Sequence, residues 1–190
     1  EKVWKNVHNP LALEITKCKV WEQIHLFDYN TYSYNLWHKE NQHCPLCLLI
    51  PESKYHLILN CPTTKLLWDG LAPFLQNLHY KHITNEEMAF GMDGDTANIL
   101  LRNWLTFLLR ECIIDQERIA YKNQLGLHNI TDIQCTFNAR LKKEILQSYE
   151  YHTNKGTMHI FKRIYRANGV FLKYDNDIQH YTIPKFFNIT

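Results

Sequence analysis

Four candidate metal ligands within 18 residues constrain this chain more than any other feature of its sequence. They are Cys44, Cys47, His56 and Cys61, spaced Cys-x2-Cys-x8-His-x4-Cys. Two cysteines separated by two residues can reach one ion from a tight turn, and a following His and Cys can complete a tetrahedron. Because four protein ligands leave no position for water, the spacing predicts one structural Zn²⁺ ion and not a catalytic one. The alternative is a set of unconnected buried cysteines and a surface histidine.

Two other histidines near this segment could belong to a different set of metal ligands. His38 and His43 could replace His56, although their spacing fits a zinc site less well. The remaining cysteines are predicted to be packing residues: Cys18, Cys112 and Cys135. Six cysteines in 190 residues are too sparse for a disulfide scaffold, which favours zinc in a reducing compartment.

The composition predicts an ordinary globular protein. Hydrophobic residues make up 45% of the chain and charged residues 21%, which lies outside the disordered range. No apolar run is long enough to span a membrane, so we expect no membrane partner. The start, Glu1-Lys2-Val3-Trp4, lacks Met and any signal-peptide pattern, which indicates a segment of a longer protein.

Helical spacing of apolar residues dominates the chain, so the predicted fold class is mainly α, with a small embedded CCHC zinc-binding motif at 41–62. The prolines in that motif favour turns and short strands, and Pro73 predicts a kink or break in the second helix. Helices are expected at 11–27, 63–80, 97–123, 137–152 and 157–167, with a loop marked by Gly91 and Gly94 and an extended tail. We divide the chain into a helical region, 1–123, and a basic helical region, 124–190, with one continuous domain as the alternative.

The net charge of +2 hides a strong asymmetry. Residues 138–173 contain eight basic and two acidic side chains, whereas residues 84–101 contain four acidic and no basic ones. A basic helix face anchored by apolar residues beneath it suits phosphate binding, although a solvated helix face is the plainer interpretation. The candidate nucleic-acid-binding residues are Arg140, Lys142, Lys143, Lys155, Lys162, Arg163 and Arg166, with Lys54 near the metal motif.

Several residues around the metal motif carry a family resemblance. Cys44-Pro45-Leu46-Cys47, Glu52-Ser53-x-x-His56, Cys61-Pro62 and Trp68 resemble the zinc-binding region of non-LTR (LINE-type) retrotransposon reverse transcriptases. The segments around Trp21, Phe90-Gly91 and Glu117-Arg118 also resemble features of that family. The resemblance covers residues 1–123, and residues 124–190 match nothing in the family.

The resemblance implies a non-catalytic C-terminal domain that binds RNA or DNA and helps to place template and target for target-primed reverse transcription. Its partners would be nucleic acid and the reverse transcriptase domain of the same polyprotein, in a ribonucleoprotein of the nucleus and cytoplasm. A domesticated host gene derived from such an element would have the same sequence features. The second hypothesis is a zinc-stabilised interaction module that packs on the polymerase or on a second copy. No nucleophile or Walker motif favours an enzyme.

Overall fold

Helices form most of the part of the chain that the structure, a computed structural model, describes: residues 6, 8–12, 14–25, 43–49, 53–79, 81–123, 130–166, 171–175, 178–182 and 186–187. The helices are α1 (Glu14–His25), α2 (Pro62–Leu78), α3 (Asn85–Phe90), α4 (Ala97–Asn123), α5 (Ile130–Asn154) and α6 (Met158–Arg166), and a π-helical turn (His56–Asn60) precedes α2. Strands β1 (Lys173–Asp175) and β2 (Ile178–Thr182) pair antiparallel, with Tyr174 opposite Tyr181. The predicted mainly α fold is confirmed.

Helix α4 is the centre of the fold. Residues 101–114 are all buried, as expected for a helix that is enclosed on every side. The helix contacts α1, α2, α3, α5, α6 and the π-helical turn. Its bounds agree with the helix predicted at 97–123, because this long and strongly apolar segment leaves little ambiguity. Among the described helices, none combines the length and the apolar character needed to cross a membrane.

A buried arginine on α4 closes the end of α2. The guanidinium of Arg102 donates to the carbonyl oxygens of Leu75 at 2.5 Å, His79 at 3.0 Å and Lys81 at 3.2 Å. Leu75 lies in the last turn of α2, where its carbonyl also accepts from the N–H of the C-cap residue His79 at 3.2 Å. Arg102 also pairs with the carboxylate of Glu87 on α3 at 3.2 Å. One side chain therefore fixes α2 and α3 against α4.

One hydrophobic core contains residues from both predicted regions. Leu101 and Trp104 of α4 belong to the same buried cluster as Phe137 of α5 and Phe161 of α6. The indole N–H of Trp104 donates to Glu144 of α5 at 2.7 Å. Near the end of the chain, Phe186 and Phe187 also join this core, with ring centroids 5.8 and 5.6 Å from Phe137.

Several local predictions need correction. Helix α2 runs through Pro73 without a break, since Pro73 is exposed and solvent can satisfy the carbonyl that the proline leaves unpaired. Helix α5 begins at Ile130, seven residues before the predicted start. The loop predicted at Gly91 and Gly94 is present at 91–96, but the helix before it, α3, was not predicted. Helix α3 begins with a capping box in which Thr84 and Glu87 bond each other's backbone N–H groups. The metal motif contains a π-helical turn where turns and short strands were predicted.

Candidate metal centre

The four predicted metal ligands come together in space. One ligand atom from each of Cys44, Cys47, His56 and Cys61 lies within 4.8 Å of those of the other three. The Sγ atoms of Cys44 and Cys61 are 3.9 Å apart, and Cys47 Sγ is 3.3 Å from His56 Nε2. Cys44 and Cys61 are fully buried, and His56 is 5% exposed. These side chains could hold a metal ion, as the sequence predicted.

The first two ligands project from a tight turn at 44–48. The N–H of Leu48 donates to the carbonyl of Cys44 at 2.8 Å, which closes the turn. Leu48 has a φ of 56°, a left-handed conformation that costs a leucine about 1–2 kcal/mol. The N–H groups of Leu46 and Cys47 bond the sulfur of Cys44 and favour its thiolate. The turn therefore contains one strained residue, Leu48, and directs two backbone N–H groups at the sulfur of Cys44.

The other two ligands are joined by the π-helical turn. Its wider winding is fixed by the N–H of Cys61, which donates to the carbonyl of His56 at 2.7 Å. In an α-helix, residues five apart face different sides, whereas a bond between residues i and i+5 brings them toward one side. The hydroxyl of Ser53 accepts from the N–H of His56 at 3.0 Å and starts the turn. The π-helical winding thus brings a His and a Cys that are separated by four residues to one candidate metal position.

Side chains of α2 hold the two ligand-bearing segments together. The hydroxyl of Thr63 donates to the carbonyl of Leu46 at 3.0 Å, and that of Thr64 donates to the carbonyl of Leu57 at 2.8 Å. The indole N–H of Trp68 donates to the carbonyl of Ile58 at 2.7 Å, which satisfies one π-turn carbonyl. Cys61 itself occupies the N-cap position of α2. The two threonines that follow therefore bond carbonyls around the metal ligands and do not cap the helix.

The protonation of the buried cysteines prepares them for a metal. A hydrogen bond from Cys44 lowers the pKa of the Cys61 thiol to about 5, and the N–H groups of Thr64 and Thr63 act in the same direction. The same hydrogen bond and burial raise the pKa of Cys44. The hydrogen bond between the two sulfurs therefore favours the thiolate at Cys61 and the thiol at Cys44. A metal ion bound here would be held by both sulfurs as thiolates.

Two of the separations between ligand atoms are close to those of a tetrahedral ion with sulfur and nitrogen ligands. Two thiolates at about 2.3 Å from one zinc lie about 3.8 Å apart, and a thiolate and an imidazole lie about 3.6 Å apart. The corresponding separations here are 3.9 and 3.3 Å. The sulfur separation is far too long for a disulfide, and both cysteines are free.

The alternative ligands and the other cysteines lie elsewhere. His43 is exposed and does not belong to the cluster, and His38 lies outside the described residues. Cys112 is buried in α4, as predicted, and burial raises its pKa to about 12. Cys18 and Cys135 are exposed, so the prediction that they pack in the interior is wrong. Each lies on an outward position of its helix, and on α5 the inward positions are filled by larger side chains such as Ile133 and Phe137.

An ion pair connects the metal motif to the central helix. Lys54, just before the π-helical turn, pairs with Glu117 of α4. The side chain of Lys54 is 13% exposed and that of Glu117 is 1% exposed. Lys54 was predicted as a nucleic-acid-binding residue, and the structure pairs its ammonium group with this carboxylate. Its role in the described fold is to fix the metal motif on α4.

The other predicted nucleic-acid-binding residues divide into two groups. Arg140 on α5 pairs with Asp115 and lies 4.0 Å from Glu111, so carboxylates of α4 compensate much of its charge. The remaining six are exposed: Lys142 and Lys143 on α5, Lys155 in the turn after it, and Lys162, Arg163 and Arg166 on α6. Helices α5 and α6 contact each other, so these side chains lie on two neighbouring elements.

The structure also shows site residues that spacing alone did not reveal. Thr63 and Thr64 support the metal ligands by bonding the carbonyls of Leu46 and Leu57. Trp68, which the family resemblance had marked without a role, does the same through the carbonyl of Ile58. Glu87 lines a separate pocket, and the Thr84-x-x-Glu87 capping pattern was the available signal for its position. No family model, curated protein or solved structure matches this chain, so the chemistry of the site rests on these residues alone.

Proposed function

We propose that this chain is a non-catalytic nucleic-acid-binding domain held together by one zinc ion. Three thiolates and one imidazole form a ligand set that is typical of structural zinc. Such a closed set offers no position for a reacting water molecule. The ion would hold residues 44–61 in the conformation in which Leu46, Leu57 and Ile58 join the core and the π-helical turn packs against α2 and α4.

The observation that supports nucleic-acid binding is the exposed basic face of α6. Lys162, Arg163 and Arg166 are exposed, while Phe161 and Tyr165 on the opposite side are fully buried. The buried rings fix the helix, so its cations are presented by a rigid support. Phosphate groups of RNA or DNA are the ligands that suit such a face. In keeping with the LINE-type resemblance, we propose that this face positions RNA template or target DNA.

The test is a titration of the full chain with single-stranded RNA and with duplex DNA at two salt concentrations. The variant carries Arg163→Ala and Arg166→Ala. A control variant with Lys81→Ala and Arg118→Ala removes the same charge from exposed positions away from α6. We expect the α6 variant to bind more weakly, with its salt slope reduced by about 0.7–0.9 for each phosphate that it no longer neutralises. The control should keep the slope of the unaltered chain.

Equal affinities and slopes for all three proteins would exclude α6 as the binding face. Absence of salt-dependent binding to either nucleic acid would contradict the proposed function as a whole. A larger effect in the control than in the α6 variant would move the interface to another part of the surface.

A second candidate function is supported by apolar side chains around the metal motif. Leu48, Leu49, Tyr55 and Leu66 are all exposed, with Leu49 at 71%. Exposed apolar groups of this kind are typical of protein-interaction surfaces. For self-association, sedimentation equilibrium of the full chain is the test. Dimer formation that Leu49→Ser and Leu66→Ser abolish would favour this function, and a monomer at all concentrations would exclude self-association.

A further inference from the structure

A row of exposed side chains runs along the second half of α5. Its members follow one another at intervals of four residues and are all exposed: Lys143, Gln147, Tyr151 and Lys155. Residues four apart are neighbours on the surface of an α-helix, so these four form one continuous row, here called the α5 row. The N–H of Lys155 donates to the carbonyl of Tyr151 at 3.0 Å, which extends the helical spacing to Lys155. At about 1.5 Å per residue, the row is about 18 Å long.

Tyr151 is the aromatic member of the α5 row and is 58% exposed. The other two tyrosines of α5 and α6 pack inward. The ring centroids of Tyr149 and Tyr165 lie 5.6 and 4.6 Å from that of Phe161. Those contacts stabilise the packing of α5 on α6, whereas Tyr151 leaves a large apolar area in water. An exposed ring of this kind offers a flat surface on which an aromatic ligand can stack.

Neighbouring side chains support the ring of Tyr151. Its centroid lies 5.3 Å from that of His152, with the two planes at 83°. His152 is held in turn by a 2.7 Å hydrogen bond between its Nδ1 atom and the hydroxyl of Thr157, and its ring lies 6.1 Å from Phe161 of α6. An edge-to-face contact covers only one face of one ring. At least one face of Tyr151 therefore lies outside this contact.

The exposed charges around the α5 row favour an anionic ligand. Between residues 142 and 155, three lysines and one glutamate are exposed: Lys142, Lys143, Lys155 and Glu150. The other acidic residue of this segment, Glu144, is buried and accepts a hydrogen bond from Trp104. Cations therefore outnumber carboxylates on the exposed surface, which attracts phosphate groups. Tyr151 lies between Lys143 and Lys155, so the row places a cation on each side of the exposed ring.

We propose that the α5 row binds single-stranded nucleic acid, and this assignment rests on the nucleic-acid function proposed above. An unpaired base would stack on Tyr151, with phosphates beside Lys143 and Lys155. The faces of bases in a duplex are covered by neighbouring base pairs, so a duplex offers no base for this ring. The amide of Gln147 can both donate and accept, which suits the edge of a base or the hydroxyl of a ribose.

The test is fluorescence anisotropy of the full chain with labelled oligodeoxyuridine. The matched ligand control is an abasic strand of the same length, which keeps every phosphate and lacks the bases. We expect the abasic strand to bind about tenfold more weakly, because it has no base to stack on Tyr151. Oligouridine, which differs by its 2′-hydroxyl groups alone, separates the two sources of the strand. Base-dependent binding of either strand supports the proposal, and the tighter one identifies the preferred sugar.

Protein variants then locate the stacked base. We expect Tyr151→Ala to bind oligodeoxyuridine about tenfold more weakly and to bind the abasic strand with unchanged affinity. Tyr151→Phe, the matched control, keeps the ring and should bind both strands as the unaltered chain does. A variant with Lys143→Ala and Lys155→Ala should bind both strands more weakly, because phosphate contacts do not require a base. All three positions are exposed, and circular dichroism of each variant checks that the fold is retained.

Equal affinities for the two uridine strands and the abasic strand would overturn the proposal. A base-dependent affinity that persists in Tyr151→Ala would also overturn it, because the bases would then contact another part of the surface. Unchanged affinity in the variant lacking both lysines would overturn the placement of the phosphates. In each of these cases salt-dependent binding would still support the proposed function, which requires phosphate contacts alone. Absence of salt-dependent binding to every strand and to duplex DNA would overturn both.

Discussion

At the scale of single residues, Cys61 shows how much of the metal centre can be predicted from sequence. Its role as a metal ligand can be predicted from spacing alone, because few sets of Cys and His residues have the separations along the chain that zinc sites require. Its position as the N-cap of α2 could not be predicted, and neither could the backbone N–H groups of Thr63 and Thr64 that donate to its sulfur. Those bonds depend on how the π-helical turn meets α2. Spacing therefore identifies the ligands but not the groups that stabilise them.

The first prediction concerns this residue. We expect Cys61→Ser to bind far less metal than the unaltered chain, since a serine hydroxyl does not ionise at neutral pH as the Cys61 thiol does. The measurement is metal content per chain by mass spectrometry after purification. Cys18→Ser is the matched control, because Cys18 is exposed and outside the cluster. Equal metal content in both variants would remove Cys61 from the site.

At the scale of elements, the bounds of a helix were predicted correctly where apolar residues recur at helical spacing over many residues. They were not predicted where a few polar contacts determine where the helix begins. Helix α4 was predicted with its observed bounds from residues such as Trp104 and Leu108. Helix α3 was missed because six residues carry too little periodicity, and its capping box was the only signal. The start of α5 was placed too late, since Thr131 and Asp132 resemble a loop in isolation. Packing of Ile133 against the core extends the helix over them.

The turn between α5 and α6 gives a prediction at this scale. Gly156 has a φ of 67°, and the N–H groups of Gly156 and Thr157 bond the carbonyls of Thr153 and His152, a Schellman motif. A Cβ at Gly156 would meet nothing within 4 Å, so only its conformation would be costly. We expect Gly156→Ala to lower the free energy of unfolding by about 1 kcal/mol, measured by urea denaturation. The exposed control Asn154→Ala should change it by less than about 0.5 kcal/mol.

The contact between the metal motif and α4 gives a second prediction at the scale of elements. Glu117→Gln removes the carboxylate that pairs with Lys54 and leaves a largely buried ammonium group without this counter-charge. We expect the free energy of unfolding to fall by about 3 kcal/mol, because breaking one side of a buried pair is costly. Glu150→Gln, at an exposed position, serves as the control in the same denaturation experiment. A decrease no larger than that of the control would show that the pair contributes nothing to stability.

At the scale of the whole molecule, the sequence predicted the helical class but not how residues 124–190 pack. Their basic charge suggested a separate region, whereas Phe137, Phe161 and Phe187 share the core with Trp104 of α4. The charge of a segment describes its exposed side chains only. What the segment packs against depends on its buried aromatic rings. The hairpin of β1 and β2 was anticipated only as an extended tail, since strand pairing depends on contacts between two short segments.

The single core leads to a prediction about metal removal. If zinc holds the metal motif against α2 and α4, a chelator should lower the melting temperature of the whole chain by about 10 °C or more. Hydrogen exchange should show the largest decrease in protection at residues 53–68, which contain the π-helical turn and the start of α2. A control incubation with chelator saturated by added zinc should show neither change. Uniform protection with and without chelator would contradict a structural role for the metal.

The most direct measurement of the central claim is the zinc content of the purified full chain, combined with X-ray absorption at the zinc edge. We expect about one zinc per chain, with three sulfur ligands at about 2.3 Å and one nitrogen ligand at about 2.0–2.1 Å. Zinc well below one per chain, or an ion bound mainly by oxygen and nitrogen, would contradict a closed site on Cys44, Cys47, His56 and Cys61.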